Sequence, residues 1–375
     1  MASIEKRTRA GRVTYRVRYR SPDGRQRSKV FDRSVDAKRW LHDTESSKGH
    51  GAYVDQDRAK VAFDKAAERW FTTTAGLAPT TRRDYRMLLD HQVKPAFGTT
   101  PVGAIDTFMV ETFLAELATA GLSAKRRREA HGVLRLVLGS AGLGHNVATT
   151  VKAPKVAPRE KHFLSADQVE ELAATITPPY GTLIRFVAYA GVRPEELTAL
   201  RVRHFDQLHG TVAVVEAAPL LAGKLVFGPT KTYAHRTIPL PGYLRDELVA
   251  YLEARELGPD EHLFTMPRGG PLRENRFVAD HFKPAVRRAG LDSRLRMYDL
   301  RHTAASLAIR AGANVLTVAK LLGHAKPSIT LNTYAGLFGD ELEALAKVMD
   351  QAHAERGPDV APAVVALRKP AGQDR

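Results

Sequence analysis

Two polar breaks, each carrying glycine or proline, divide this chain and limit what each part can fold into. The first, "KGHGAYVDQD" (48–57), is polar and glycine-bearing; the second, "VKAPKVAPRE" (151–160), has two prolines and no apolar period. Both read as linkers. Elsewhere apolar residues recur at helical or strand spacing in short runs, and none approaches the roughly 18 consecutive apolar residues of a membrane span. At 375 residues the chain is long enough for three domains. They are expected at 1–57, 58–150 and 161–355, with 356–375 a poorly ordered tail.

In "RVTYRVRYRSPDGRQRSKVF" (12–31), Val13, Tyr15, Val17 and Tyr19 alternate with Thr14, Arg16, Arg18 and Arg20, and Pro22-Asp23-Gly24 supplies a turn. This predicts a hairpin with one apolar and one arginine face. A helix over 34–46 would cover the apolar face with Val35, Trp40 and Leu41, giving a small α+β unit. Its arginine face is either a solvated surface or a DNA-reading one, through Arg16, Arg18 and Arg20.

Residues 62–74, 79–96, 105–119 and 123–141 carry helical periodicity, predicting an all-α second domain. Ser123 can cap the last helix, which then places Lys125, Arg126, Arg127 and Arg128 in its first turns. Cations there oppose the helix dipole, a cost that solvent or a phosphate partner would relieve. The third part opens with Ser165 and Gln168 at capping-box spacing. Its helices surround a Val-rich β section near 210–218, 223–229 and 235–239, so its class is mainly helical α+β.

The formal net charge is +16 and the isoelectric point near 10.0. Residues 1–60 alone carry a net +8, half the excess in about a sixth of the chain. Such a surplus favours polyanions through counterion release, so double-stranded DNA is the expected partner. No cysteine is present, which excludes disulfides, thiolate nucleophiles and Cys-based zinc sites. The N-terminus, "MASIEKRTRAGR", is charged rather than apolar. A soluble, cytoplasmic, nucleoid-associated protein is expected.

Four stretches carry chemistry-bearing residues: "AGVRPEELTALR" (190–201), "GPTKTYAHRTIPL" (228–240), "MYDLRHTAAS" (297–306) and "LLGHAKPSITLNTYAG" (321–336). Taken singly, each has a plain structural explanation: an i,i+3 ion pair, a hairpin-tip lysine, a helix-end histidine, a core tyrosine. In this order they resemble the tyrosine recombinases, the phage-integrase family. Gly191-Val192-Arg193 with Glu196 matches its G-x-R-x-x-E box, Lys231 its hairpin lysine, Arg301 its H-x-x-R box, Gly323-His324 its G-H step and Tyr334 its nucleophile. Tyr298 stands where the family has histidine.

The resemblance covers about 165–350 and implies a recombinase catalytic domain. The helical domain then corresponds to a SAM-like core-binding domain and the basic sheet to an arm-binding domain. It implies that Tyr334 attacks the DNA phosphodiester to form a 3′-phosphotyrosyl link, which conserves the bond energy without ATP. Arg193 and Arg301 would clamp the non-bridging oxygens, Lys231 would protonate the leaving 5′ oxygen, and His324 would donate to phosphate. Glu196 and His302 would support the two arginines, and the Tyr298 hydroxyl would stand in for the missing imidazole.

No H-E-x-x-H or acid cluster appears, and two guanidinia would repel a cation, so a reaction without metal or other cofactor is expected. The segment 339–352 places Leu342, Leu345, Val348 and Met349 on one helix face. It packs on its own domain or, as in similar recombinases, docks on a neighbouring protomer of a homotetramer. Accessory DNA-bending or directionality factors are further expected partners of a phage or bacterial integrase. A catalytically silent DNA-binding protein and a type IB topoisomerase-like relaxing enzyme are alternative readings of the same residues.

Overall fold

The computed structural model describes residues 2–9, 12–21, 24–49, 56–157, 159–230, 235–338 and 341–354. The chain divides into two compact units, Met1–Arg159 and Glu160–Arg375. The expected tail, 356–375, lies outside the described residues, as do 50–55 of the expected first linker.

The alternating segment forms strands Arg12–Arg20 and Gln26–Phe31, and Ser3–Arg9 adds a third strand on the other side of Arg12–Arg20. Both pairings are antiparallel, with Val17 opposite Ile4 on one side and Lys29 on the other. Val17 and Tyr19 are buried as the alternation predicts. Helix Ser34–Gly49 covers them, with Trp40 edge-on to Tyr19 at 5.1 Å between ring centroids and 5.6 Å from Phe31. Two expectations change here. Val35 is exposed, because the inward stripe of the helix runs through Ala37, Trp40, Leu41 and Thr44. The helix also continues to Gly49, into the stretch expected as linker.

The rest of this unit is helical: Phe63–Thr73, Pro79–Leu88, Thr107–Thr119 and Ala124–Ser140 enclose a core containing Phe63, Trp70, Leu89, Phe97, Phe113 and Leu134. Pro79–Leu88 runs through a π turn, Leu89–Val93, into Lys94–Phe97. Pro95 has no N–H to donate, and the wider turn before it lets the helix pass without a break. The Ser123 hydroxyl accepts the Arg126 N–H at 3.2 Å, the cap its position predicts. Val151, the first residue of the proline-bearing linker, is buried in this core.

In the second unit the Ser165–Gln168 capping box starts Ala166–Thr175. Gly181–Ala190 packs against both that helix and Met297–Arg310. Its core is built on Leu172, Leu183, Ile184, Phe186, Leu248, Phe264, Phe277, Phe282 and Leu300. Strand Thr211–Val214 lies between Arg236–Pro239 and Phe205–Asp206, and Glu216–Ala217 pairs with Gly228–Pro229. A smaller cluster of Ala305, Ile309, Val318, Leu322 and Tyr334 holds Val315–Leu322 and Pro327–Tyr334 against Met297–Arg310. No described helix is long and apolar enough to cross a membrane.

Phe97 is 2% exposed, with its ring 5.9 Å from Phe63 and 5.1 Å from Phe113. Phe97→Ala is expected to cost about 3–5 kcal/mol, whereas Val35→Asp should stay within about 0.5 kcal/mol. Denaturant unfolding followed by tryptophan fluorescence checks both, because the two tryptophans, Trp40 and Trp70, report on this unit.

Candidate active site

Two helices of the second unit end in left-handed glycines, and the site is built on their ends. Gly191 closes Gly181–Ala190 at φ +62° and Gly323 closes Val315–Leu322 at φ +62°. A Cβ at Gly191 would come within 2.9 Å of Leu322 Cδ2, and one at Gly323 within 2.9 Å of Arg236 Nη1, so a side chain at either would strain the left-handed backbone and displace a neighbour. The carbonyls left free at these ends face three arginines. Arg301 donates to Gly191 O and Leu322 O, Arg193 to Gly323 O at 3.1 Å, and Arg236 to Leu321 O at 3.1 Å. The negative end of a helix dipole favours cations there.

Glu196 ties two of the arginines together. It is 1% exposed in the first turn of Pro194–Ala199, where it accepts the Arg193 backbone N–H at 2.9 Å and Arg193 Nη1 at 2.6 Å. Arg236 grips it in bidentate fashion, Nη1 to Oε1 at 3.0 Å and Nη2 to Oε2 at 2.7 Å. Burial alone would raise the Glu196 pKa, but the hydrogen bonds and charge of Arg236, with Arg193, outweigh it and hold the carboxyl at about 2. Glu196 therefore binds Arg193 directly, and Arg236 is a third cation that the motif reading missed. A signal was present: Arg236 shares its strand face with Ile238, which is buried, so period-two alternation points both inward.

In Met297–Arg310, Asp299 accepts the Arg296 N–H at 2.8 Å and fastens the first turn. Arg301 is 1% exposed, and burial together with the neighbouring Arg193 brings it down to about 10, still a cation at neutral pH. Among the described residues its hydrogen-bond partners are backbone carbonyls, not His302. The support expected of His302 is thus supplied by the helix ends, and the His302 ring turns elsewhere: its Nδ1 lies 2.7 Å from the Tyr334 hydroxyl. Tyr298, one helical turn before His302, meets that ring edge-on at 5.2 Å and is 37% exposed.

Tyr334 ends Pro327–Tyr334 and is 2% exposed. Its ring packs 6.3 Å from Phe163, the Lys161 ammonium lies 5.7 Å from its centroid, and Lys161 also donates to the Thr333 carbonyl. Burial pushes its phenol pKa upward, so the resting hydroxyl keeps its proton. His324, just past Gly323, has Nδ1 2.7 Å from the buried Thr330 hydroxyl. Burial and the charges of Arg301 and Arg193 hold it at about 4. A neutral ring whose Nδ1 accepts from Thr330 presents an Nε2–H donor. Lys231 lies outside the described residues.

The expected DNA-contact residues sit in the first unit. Arg16 donates to Ser28 Oγ at 3.0 Å, Arg18 reaches Glu5 at 3.2 Å and Arg20 is exposed, all on the face opposite Val17 and Tyr19. Glu129 offsets part of the charge in the first turns of Ala124–Ser140, 3.9 Å from Lys125 and 3.5 Å from Arg126, while Arg128 is exposed and Arg127 half-buried.

These groups define how stability follows pH. The native carboxyl of Glu196 sits at about 2 against an ordinary 4.5, so its contribution of about 3 kcal/mol is complete above pH 4.5 and lost as pH falls toward 2. His302 and His324 are held at about 4 against 6.5, so the unfolded chain takes their protons first and stability also falls from pH 6.5 to 4. Glu196→Gln should reduce the lower-pH loss, leaving the part due to other lowered carboxyls such as Glu68 and Asp299, keep the upper one and lower stability at pH 7 by about 3 kcal/mol. Melting temperatures between pH 3 and 8 test this.

Residues 162–339 match the Phage integrase family. The chain is 31% identical over 243 residues to tyrosine recombinase XerD of Bifidobacterium longum, spanning 59% of this chain and 74% of that protein. It is 27% identical over 350 residues to a prophage phiRv2 integrase of Mycobacterium tuberculosis, 88% of this chain and 91% of that one. Its fold is similar to that of the Tn1549 transposon integrase in complex with transposon right end DNA, with TM-score 0.66, 17% identity and coverage of 78% and 100%. It is also similar to a lambda integrase dimer bound to a COC′ core site, with TM-score 0.56, 15% identity and coverage of 96% and 97%. With this degree of identity along most of the XerD protein, and with the arginine, histidine and tyrosine boxes gathered in one unit, the chain belongs to the phage integrase family of tyrosine recombinases.

Proposed function

We infer that the chain is a site-specific DNA recombinase that cleaves one strand through Tyr334, holds it as a 3′-phosphotyrosyl link and rejoins it to a partner duplex without metal or ATP. The observation that carries this reading is the convergence of Arg193, Arg301 and His324 beside a buried tyrosine. Charge grows on the non-bridging oxygens as the nucleophile attacks, and guanidinia already fixed by carbonyls and Glu196 meet it without reorganising. Arg301 has five N–H groups and its two carbonyl partners leave donors for phosphate. His324 adds a neutral N–H donor. Lys231 is the acid for the 5′ oxygen, and the Tyr298 hydroxyl, more exposed than the rest, adds a donor to phosphate.

The helical part of the first unit is the core-binding domain in this reading, with Lys125 to Arg128 on the DNA backbone. The basic sheet is an arm-binding domain acting through Arg16, Arg18 and Arg20. A lambda integrase tetramer bound to a Holliday junction is among the similar folds, at TM-score 0.55, 16% identity and coverage of 84% and 91%. In helix Glu341–Ala354, Val348 and Met349 are 62% and 64% exposed, apolar surface suited to the neighbouring protomer of a homotetramer. Accessory bending or directionality proteins belong to the same proposal.

The test is a selection of covalent protein–DNA adducts from a pool of randomised nicked duplexes. Wild-type protein should trap a defined core sequence; Tyr334→Phe should bind that duplex with unchanged affinity and form no adduct. Adducts from Tyr334→Phe would assign the nucleophile elsewhere. Relaxation of a supercoiled plasmid lacking the selected sequence would mark a topoisomerase-like enzyme instead. On the selected duplex Tyr298→Phe should slow cleavage about tenfold and Tyr298→His should preserve it; an unchanged rate in Phe would leave Tyr298 without a part in the reaction.

A further inference from the structure

We propose that His302 is the catalytic base of the reaction, taking the proton of Tyr334 through its Nδ1 as the phenol oxygen attacks the DNA phosphorus. The proposal rests on Tyr334 being the nucleophile. It gives His302, the second residue of the Arg-His pair, a role distinct from holding Arg301, and it locates the imidazole whose usual position is occupied by Tyr298.

Geometry carries the assignment. The 2.7 Å contact to the Tyr334 hydroxyl is direct, within the reach required of a base. The ring is held on two sides, by Tyr298 at 5.2 Å and Phe163 at 6.4 Å between centroids, both edge-on, and it meets Tyr334 at 5.7 Å. The phenol is held too: Lys161 binds the Thr333 carbonyl just ahead of it, and Phe163 packs on its ring. Leu164 N–H donates to the Thr303 hydroxyl at 3.1 Å, anchoring the Lys161-to-Leu164 strap to the helix that carries His302. Acceptor and donor are therefore registered against each other by one short segment.

The protonation state agrees. Burial holds His302 at about 4; Asp299 works against this, while Lys161, Arg296 and Arg301 reinforce it. Tyr298, Tyr334 and His324 are the other titratable groups around the ring. At neutral pH His302 is thus an unprotonated imidazole, which can accept at Nδ1 with its proton on Nε2. Among the described residues, no carboxylate or second imidazole hydrogen-bonds the Tyr334 hydroxyl to compete for the proton.

The step balances. The Tyr334 oxygen forms its bond to phosphorus while its proton passes to His302 Nδ1. The P–O5′ bond breaks with its electron pair on the 5′ oxygen, and Lys231, the acid proposed above, protonates that oxygen. Religation reverses each transfer: the 5′ hydroxyl returns its proton to Lys231, and the imidazolium returns its own to the departing phenolate. Its basicity need not match the free phenol, because Arg301 lowers the cost of the phenoxide and the proton moves as the O–P bond forms.

The test measures single-turnover adduct formation on the duplex recovered by the selection, at saturating protein, from pH 5.5 to 9. His302→Asn keeps an acceptor beside the phenol but cannot take its proton. It should bind DNA normally and cleave about 100-fold or more slowly at pH 7. Its rate should climb about tenfold per pH unit as hydroxide replaces the base, where wild type is flat. His302→Ala should regain rate with added imidazole. A His302→Asn rate within threefold of wild type, a profile parallel to wild type, or no imidazole rescue in a folded His302→Ala protein overturns the proposal and leaves His302 a positioning residue. Tyr334→Phe runs alongside: adducts from it overturn the nucleophile, whereas an adduct-free Tyr334→Phe with a fast His302→Asn overturns the base alone.

Discussion

A single buried carboxylate organises the cationic half of this site. Glu196, at 1% exposure, is tolerated in the interior only because Arg193 and Arg236 occupy both of its oxygens. In return it fixes two guanidinia that would otherwise repel each other and Arg301. The carbonyl ends of two helices, freed by left-handed Gly191 and Gly323, complete the framework. Three guanidinia then face one carboxylate, so the cluster carries surplus positive charge that a phosphodiester can neutralise.

Burial, reinforced by that surplus, sets the protonation of the two histidines beside it. Burial, then the nearby cations, keeps His302 and His324 neutral, so one can accept a proton and the other can donate a hydrogen bond without adding charge. The same burial keeps the Tyr334 phenol protonated at rest. In the reaction proposed above, such a neutral nucleophile waits for a phosphate to enter the arginine cluster.

Much of the fold was readable as periodicity. The alternation of Val17 and Tyr19 with arginines, the four helical runs of the first unit, the Ser123 cap and the Ser165 capping box all follow from local pattern and hydrogen-bond chemistry. Val35 was misplaced because helical phase, not hydrophobicity, decides which residues face a sheet. In the site, the motif spacing singled out Arg193, Glu196, Arg301, His324 and Tyr334, and it passed over Arg236, whose partner lies 40 residues earlier in the chain. His302 was assigned to its sequence neighbour Arg301, yet adjacent helical residues point about 100° apart and its partner lies 32 residues away.

By itself, the sequence determined the element types, the positive charge, the absence of thiol chemistry and the inventory of candidate groups, because these depend on residues near one another in the chain or on composition. Only the tertiary structure decided which group touches which. Glu196 with Arg236, Arg301 with two helix ends, and His302 with Tyr334 are each closed by packing between distant elements. Side-chain reach of a few ångströms, rather than separation along the chain, selects the partners of a buried charge or proton.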